Sequence, residues 1–453
     1  MANDAGDGVR AVQVVLKLGA IMLGAGSPTD DVERAMRSAA ASLGLPRTTA
    51  GVSFGTLTFS YFPGPAAQPV TAMLLAPEQI SDYRRLTAAA ALVSELRAGT
   101  LDLDGAEAEV ERIASLETAW PEPFTSLAQA ASASASTVLF GGSALDALAT
   151  LIISLLVQPI VVRLDGSGLP PFFRSLIGPL VSSLLVALTV AIDAPINPAL
   201  VLTGCLLRFL PGAALVAGMR DLIDQSTISG SARLANALLL GAAVAAGTAI
   251  GIGVANQFGV LLEIGVPTGD ARQEVIQVGA AAIACGAWAV RLGEPRFALL
   301  TASALGAVGW AVYLLVFPLG VGGLFATGLA GLAVGAGGRL LARRRDAPVV
   351  LWVVPASLPL LPGLLIVEGM LSSDAIAGIL LLVTAVATGL ALGASIAFGD
   401  IVVQTARQVR DEIIEPVIIQ PVSQVVQTGL RAVIRPRADD RDASPDERQT
   451  PDG

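Results

Sequence analysis

Four ionisable side chains, Arg208, Glu368, Asp146 and Asp221, lie in or at the edge of long apolar runs. An ionisable group in hydrocarbon is costly, so each is expected to face a cavity or a partner. Arg208 stands three residues before Pro211 and could hold a carboxylate through paired N–H bonds; it could equally snorkel or pair with an acid. Glu368 stands six residues after Pro362 and could carry a proton or meet an ammonium group; near an outer end it would be a rim carboxylate. Asp146 and Asp221 read either as proton carriers or as interface charges. The chain has no histidine, which excludes imidazole bases, imidazole metal ligands and Ser-His triads. Its two cysteines, Cys205 and Cys285, lack metal-type spacing and read as buried packing thiols. No catalytic residue, metal or cofactor is expected.

Two of these residues flank a repeat. LPGAALVAGM at Leu210 to Met219 returns as LPGLLIVEGM at Leu361 to Met370, each copy inside an apolar run. Proline removes a backbone donor and glycine relaxes the helix, so each copy marks a break whose freed backbone groups need partners. The backbone at Pro211, Gly212, Pro362 and Gly363, with Met219 closing the first copy, is therefore a candidate binding element. The simpler alternative is a pair of packing kinks.

The elements that must position these groups are membrane elements. Of 453 residues, 53% are hydrophobic and 14% charged, with a mean hydropathy of +0.70, more apolar sequence than a soluble core needs. The net charge of -9 sits largely outside the apolar region and gives no support for nucleic-acid binding. Residues 1–120 are mixed in character and read as a cytoplasmic α/β domain. Val14, Leu18, Ile21 and Met22 form a helical stripe, and a second helix has Ser27 as N-cap, Pro28 in its first turn and Gly44 at its end. Thr49 to Tyr61 and Val70 to Leu75 read as β-structure, followed by helices over Pro77 to Arg97 and Gly105 to Glu117. No cleavable signal peptide is expected.

A span needs roughly 20 apolar residues. Clear candidates start at Ala144, Phe172, Ile196, Ala232, Phe297, Leu319, Val349 and Ala375, with weaker ones at Phe124 to Phe140 and Gln273 to Val290. If all ten cross from an inside start, every inward turn is basic: Arg163 with Arg174, Arg220 with Arg233, Arg291 with Arg296, and Arg343 to Arg345. Outward turns at Gly141-Gly142, Asp193 to Pro195, Pro318-Leu319 and Ser372 to Asp374 carry no Lys or Arg. The fold class is thus a mainly α polytopic membrane protein of about ten helices with both termini cytoplasmic. An odd count per half inverts the second, giving two inverted five-helix repeats, 121–256 and 257–403, whose broken fourth helices meet near the midplane. Half-helix ends there suit a small zwitterion. Residues 404–437 read as an amphipathic segment on the inner membrane surface, and 438–453 as a disordered tail.

The run RFLPGAALVAGMRDLIDQSTISGSARLANALL, Arg208 to Leu239, resembles the signature of the threonine/serine exporter family of bacterial plasma membranes. LGAIMLGAGSPTDDVERAM, Leu18 to Met36, is similar to that family's cytoplasmic domain, and VVPASLPLLPGLLIVEGM to its second membrane half. Gly24-Ala25-Gly26 departs from the Glu-Ser-Gly-like run expected there. The resemblance implies a fused two-half secondary exporter of threonine and serine, coupled to protons, in the inner membrane; related pairs are proposed to export small carboxylates. A passive small-solute channel and a membrane-anchored enzyme are the competing classes, and homo-oligomerisation stays open.

Overall fold

Burial of Val14, Leu18 and Met22 organises the N-terminal region of the computed structural model, which describes residues 5–413 apart from 54, 65–67, 76–80, 260–270 and 373. The stripe belongs to α1 (Ala5–Gly24), which packs on α2 (Thr29–Ser42) and on an antiparallel sheet. Thr49 to Tyr61 makes two strands rather than one stretch: β1 (Thr48–Ser53) pairs with β2 (Thr56–Tyr61), which pairs with β3 (Val70–Leu75). A Cβ at Gly19 would lie 2.6 Å from Met36 Sδ and 2.8 Å from Leu57, so glycine permits α1 to approach both layers. Two helices complete the region, α3 (Tyr83–Arg97) and α4 (Leu103–Ala114). Their starts differ from the sequence expectation because Asp82 and Asp102 cap them, accepting from Arg85 N–H at 3.2 Å and Gly105 N–H at 2.9 Å.

One cap corrects the sequence reading. Ser27 does not cap α2; Pro28 occupies the N-cap position and offers no side-chain acceptor. The missing acceptor comes from Asp221, 192 residues away, whose Oδ1 receives the Thr29 N–H at 2.9 Å. The other end is as expected, with Gly44 at φ +81° just beyond the helix.

The apolar region is helical throughout its described length. It comprises α5 (Glu122–Leu139), α6 (Ala144–Asp165), α7 (Pro171–Ala191), α8 (Pro198–Leu207), α9 (Gly212–Ile223) and α10 (Thr227–Gln257). There follow α11 (Ala271–Arg291), α12 (Arg296–Val316), α13 (Gly323–Arg345), α14 (Val350–Ala356), α15 (Gly363–Leu371) and α16 (Ala375–Ile413). Among the described residues seven helices are long and apolar enough to cross a membrane, and up to nine spans result if each bent pair counts as one. The bent pairs are α8 with α9, at 55°, and α14 with the segment 358–369, at 41°. The expected ten are not reached, because α5 is built largely of Ala and Ser and lacks the hydropathy of a span. Large apolar side chains such as Leu148, Ile152, Leu300, Leu315, Ile379 and Val383 are exposed, as lipid-facing positions require. Cys205 and Cys285 are buried and unbridged.

Residues 1–403 group as one unit and 404–453 as another. Most of the expected amphipathic segment and the whole tail lie outside the described residues.

Small residues set the helix spacing. A Cβ on Gly247 of α10 would lie 2.1 Å from the Leu176 carbonyl of α7, and one on Gly399 of α16 would lie 2.3 Å from the Leu332 carbonyl of α13. Gly253, with nothing within 4 Å, is the internal control. Gly247→Ala and Gly399→Ala are each expected to lower the thermal unfolding midpoint of the purified protein, at a cost of about 1–3 kcal/mol; Gly253→Ala is expected to leave it unchanged or slightly raised.

Candidate functional site at the crossed helix breaks

Both copies of the repeat fold the same way. Pro211 has φ -80° and ψ 51°, and Pro362 has φ -77° and ψ 45°. Each proline centres an inverse γ-turn, with Gly212 N–H donating to Leu210 O at 2.9 Å and Gly363 N–H to Leu361 O at 2.8 Å. The helices resume alike, through Leu215 N–H to Pro211 O at 3.1 Å and Ile366 N–H to Pro362 O at 3.2 Å. Helix geometry then leaves the amides of the second and third residues, Ala213 and Ala214 in α9 and Leu364 and Leu365 in α15, without intrahelical acceptors.

The breaks cross. A Cβ on Gly212 would lie 2.8 Å from Leu361 Cδ1, and one on Gly363 would lie 2.7 Å from Leu207 and 3.5 Å from Leu210. Gly212 is thus the seat for the leucine that opens the second copy, and Gly363 the seat for Leu207, with Leu210 in ordinary contact beside it. Pro211, Gly212, Pro362 and Gly363, chosen from sequence as backbone elements, come together here.

A cavity lies at the start of each resumed helix. The first, about 230 Å³, is lined by residues 210–214 with Arg233, Asn236, Trp288, Ser357 and Leu361. The second, about 430 Å³, is lined by Phe140, Trp310, Tyr313, Thr384, Thr388 and Leu361, with Leu364 and Leu365. Leu361 walls both. In the second, the Trp310, Tyr313 and Phe317 rings stack in sequence at 4.9 and 5.5 Å.

The remaining sequence candidates lie elsewhere. Arg208 turns into the bundle, where its Nη2 donates to Gln129 of α5 and Gln158 of α6 while its guanidinium lies 5.1 Å over the Phe209 ring; its Nη1 is buried without a partner. Gln129 and Gln158 line a third cavity of about 270 Å³ with Arg291, Trp120 and Ser81. Asp146 is occupied structurally, accepting from Ser143 N–H at 2.7 Å and from Asn197 N–H at 2.6 Å, so it completes the capping box that Ser143 opens on α6 and ties α6 to α8. Met219 packs under Gly393 of α16. Glu368 is half-buried on α15, two turns beyond the second break.

Asp221 belongs to a buried charge network. Besides Thr29, it pairs with Arg233 at 2.9 Å, and Arg233 donates to Ser27 O at 3.0 Å. Arg233 is 2% exposed, so it is more than a turn residue marking topology. Next to it, Arg220 pairs with Asp400 of α16 at 2.7 Å and lies 3.7 Å from Asp31 of α2, while Arg339 of α13 also holds Asp400. Sequence reasoning missed Asp400, Arg339 and the fully buried Glu294. A lone acid inside an apolar run is a signal that could have found Asp400.

Removing one member of the Asp221–Arg233 pair leaves an unpaired buried charge, which costs about 3–5 kcal/mol. Asp221→Ala is expected to lower the unfolding midpoint of the full chain sharply, and Asp221→Ala with Arg233→Met to recover a substantial part. Equal losses in the single and double variants would contradict the pairing.

Comparison with known proteins matches the chain to threonine/serine exporters. A family model of threonine/serine exporters covers residues 13–255, and a second, described as "Threonine/Serine exporter, ThrE", covers residues 277–406. The chain is 24% identical over 409 residues to a Mycobacterium tuberculosis protein named "Probable threonine/serine exporter", covering 88% of this chain and 77% of that one. It is 24% identical over 407 residues to the "Threonine/serine exporter" of Corynebacterium glutamicum, covering 88% and 83%. No solved structure matches the chain.

Proposed function

The chain belongs to the threonine/serine exporter family, a family of transporters and not of enzymes, and from that premise we propose that it is a secondary exporter of threonine and serine. The observation that carries the reading is the reciprocal crossing of the two breaks, with a cavity against each and Leu361 between them. In the first cavity the free amides at the start of α9 suit a substrate carboxylate, and Asn236 and Ser357 supply polar groups for a side-chain hydroxyl. In the second, the free amides at the start of α15 likewise suit a carboxylate, beside a wall of stacked aromatic rings. Withdrawal of Leu361 from its seat at Gly212 would open the wall between the two cavities. A leucine wall between two cavities favours such a carrier over an open channel.

The halves are read as inverted five-helix repeats, with α5 as the tenth span and both termini cytoplasmic. Matching local structure supports this. The close approach at Gly247 joins α10 to α7, and the one at Gly399 joins α16 to α13, the same two positions of each half. The basic inward turns support an inner-membrane location with residues 1–120 on the cytoplasmic side. Coupling to protons is part of the same proposal; of the sequence candidates, Asp146 and Asp221 are engaged in structural bonds and Glu368 has the freer setting.

Reconstituted vesicles test this. Labelled threonine is expected to exchange in counterflow and to accumulate under an imposed proton gradient, with serine competing. Gly212→Val and Gly363→Val, which fill the leucine seats, are expected to lower both by at least about tenfold. A small dicarboxylate moving where threonine does not, or threonine flux that never exceeds equilibration, would overturn the substrate or the carrier reading respectively.

A further inference from the structure

Glu294 sits in the turn between α11 and α12, outside both apolar spans, and the sequence presents it as one acid between Arg291 and Arg296. The fold gives it a different character. It is 0% exposed, and both side-chain oxygens are buried without a hydrogen-bond partner. An unpaired carboxylate in such a place is strongly disfavoured, whereas a protonated carboxyl is not.

The N-terminal region is bonded to the turn that carries Glu294. Tyr83, the first residue of α3, donates its N–H to Leu292 O at 2.9 Å, and Trp120 Nε1 donates to the Glu294 carbonyl at 3.3 Å. Ser81, just before α3, lines both the first and the third cavity, and Leu292 does so from the turn itself. The lid over these two cavities is therefore seated on the turn that holds Glu294.

The surrounding titratable and charged groups leave the carboxyl uncompensated. On α3, Tyr83 is buried, and Oδ1 of the α3 cap Asp82 lies near Gly293, 3.5 Å from where a Cβ would be. On α11, the buried Cys285 thiol packs at Gly306 of α12, and Arg291 lines the third cavity. From α12, Arg296 is 5.6 Å over the Trp120 ring. None of these bonds a Glu294 side-chain oxygen.

We propose that Glu294 is a proton-binding site that controls the seating of the N-terminal region: seated over the two cavities with the proton bound, released when it is lost. Burial pushes the Glu294 carboxyl well above the usual carboxylate range, and the Tyr83 hydroxyl is pushed up by burial and by its proximity to Glu294. Once unseated, the carboxyl meets water and titrates in the ordinary range. Seating is then complete below that range, weakens as pH rises through it, and stops weakening above the raised value of the seated form. Alkaline conditions open the lid.

The inference goes beyond the transport reading, and its test uses no transported solute. Spin labels at Glu95→Cys on α3 and Arg344→Cys on α13, both exposed, report seating in the full chain in lipid vesicles, because the buried native thiols stay unlabelled. Neighbouring Ser94 and Asp346 are in contact when seated, 3.4 Å apart. A single short distance is expected at pH 5, with a longer population growing toward pH 9. Glu294→Gln is expected to hold the short distance at every pH. A wild-type distance constant from pH 5 to 9 would overturn the proposal, whether or not the variant folds, and so would a Glu294→Gln protein that titrates like the wild type.

Discussion

A broken helix inside a membrane must find partners for the backbone groups that the break frees, because hydrocarbon offers none. Here each break is closed within itself by a γ-turn and then sealed by the other: Leu361 fills the space beside Gly212, and Leu210 with Leu207 fills the space beside Gly363. Neither break can be built alone. The cavities, the position of the resumed helices and the wall between them all follow from that mutual packing. A side chain at either glycine would deny the opposite leucine its seat.

The second organising constraint is electrostatic, and it joins the N-terminal region to the broken helices. The free amides at the start of α2 need an acceptor that Pro28 cannot supply, and Asp221 at the end of α9 supplies it. Arg233 neutralises that carboxylate from α10, while Arg220 extends the contact to Asp31 and Asp400. A shift of α9 would therefore be felt at α2. Any movement at the first break thus has a physical route to the N-terminal region.

Features that depend on local residue chemistry were readable from sequence, and features that depend on distant neighbours were not. Pro-Gly inside an apolar run marks a break wherever it occurs, and Gly44 ends α2 for a reason carried by its own backbone. The seats of Leu361 and Leu207 needed the fold, since nothing in either copy says which surface it will face. Ser27 looked like a cap because the acceptor that does the capping lies 192 residues away. Arg208 stood next to Pro211 in sequence, yet its guanidinium goes to Gln129 and Gln158 because helices α5 and α6 bring amide oxygens there. Glu294 passed as a turn acid because its burial, with both side-chain oxygens unpaired, is a tertiary property. The Ser-rich and Ala-rich α5 was recognised as a helix, but its hydroxyls serve the bundle, as in Ser132 to Ala284 O at 2.9 Å.

The central claim is that the crossing of the two breaks must separate for a solute to pass. The most direct measurement places cysteines at Gly212 and Leu361 together, oxidises the pair in reconstituted protein, and follows labelled threonine counterflow before and after reduction. The account predicts that the disulfide forms, stops exchange, and that reduction restores it. Exchange that continues at the same rate through a fully cross-linked protein would contradict it.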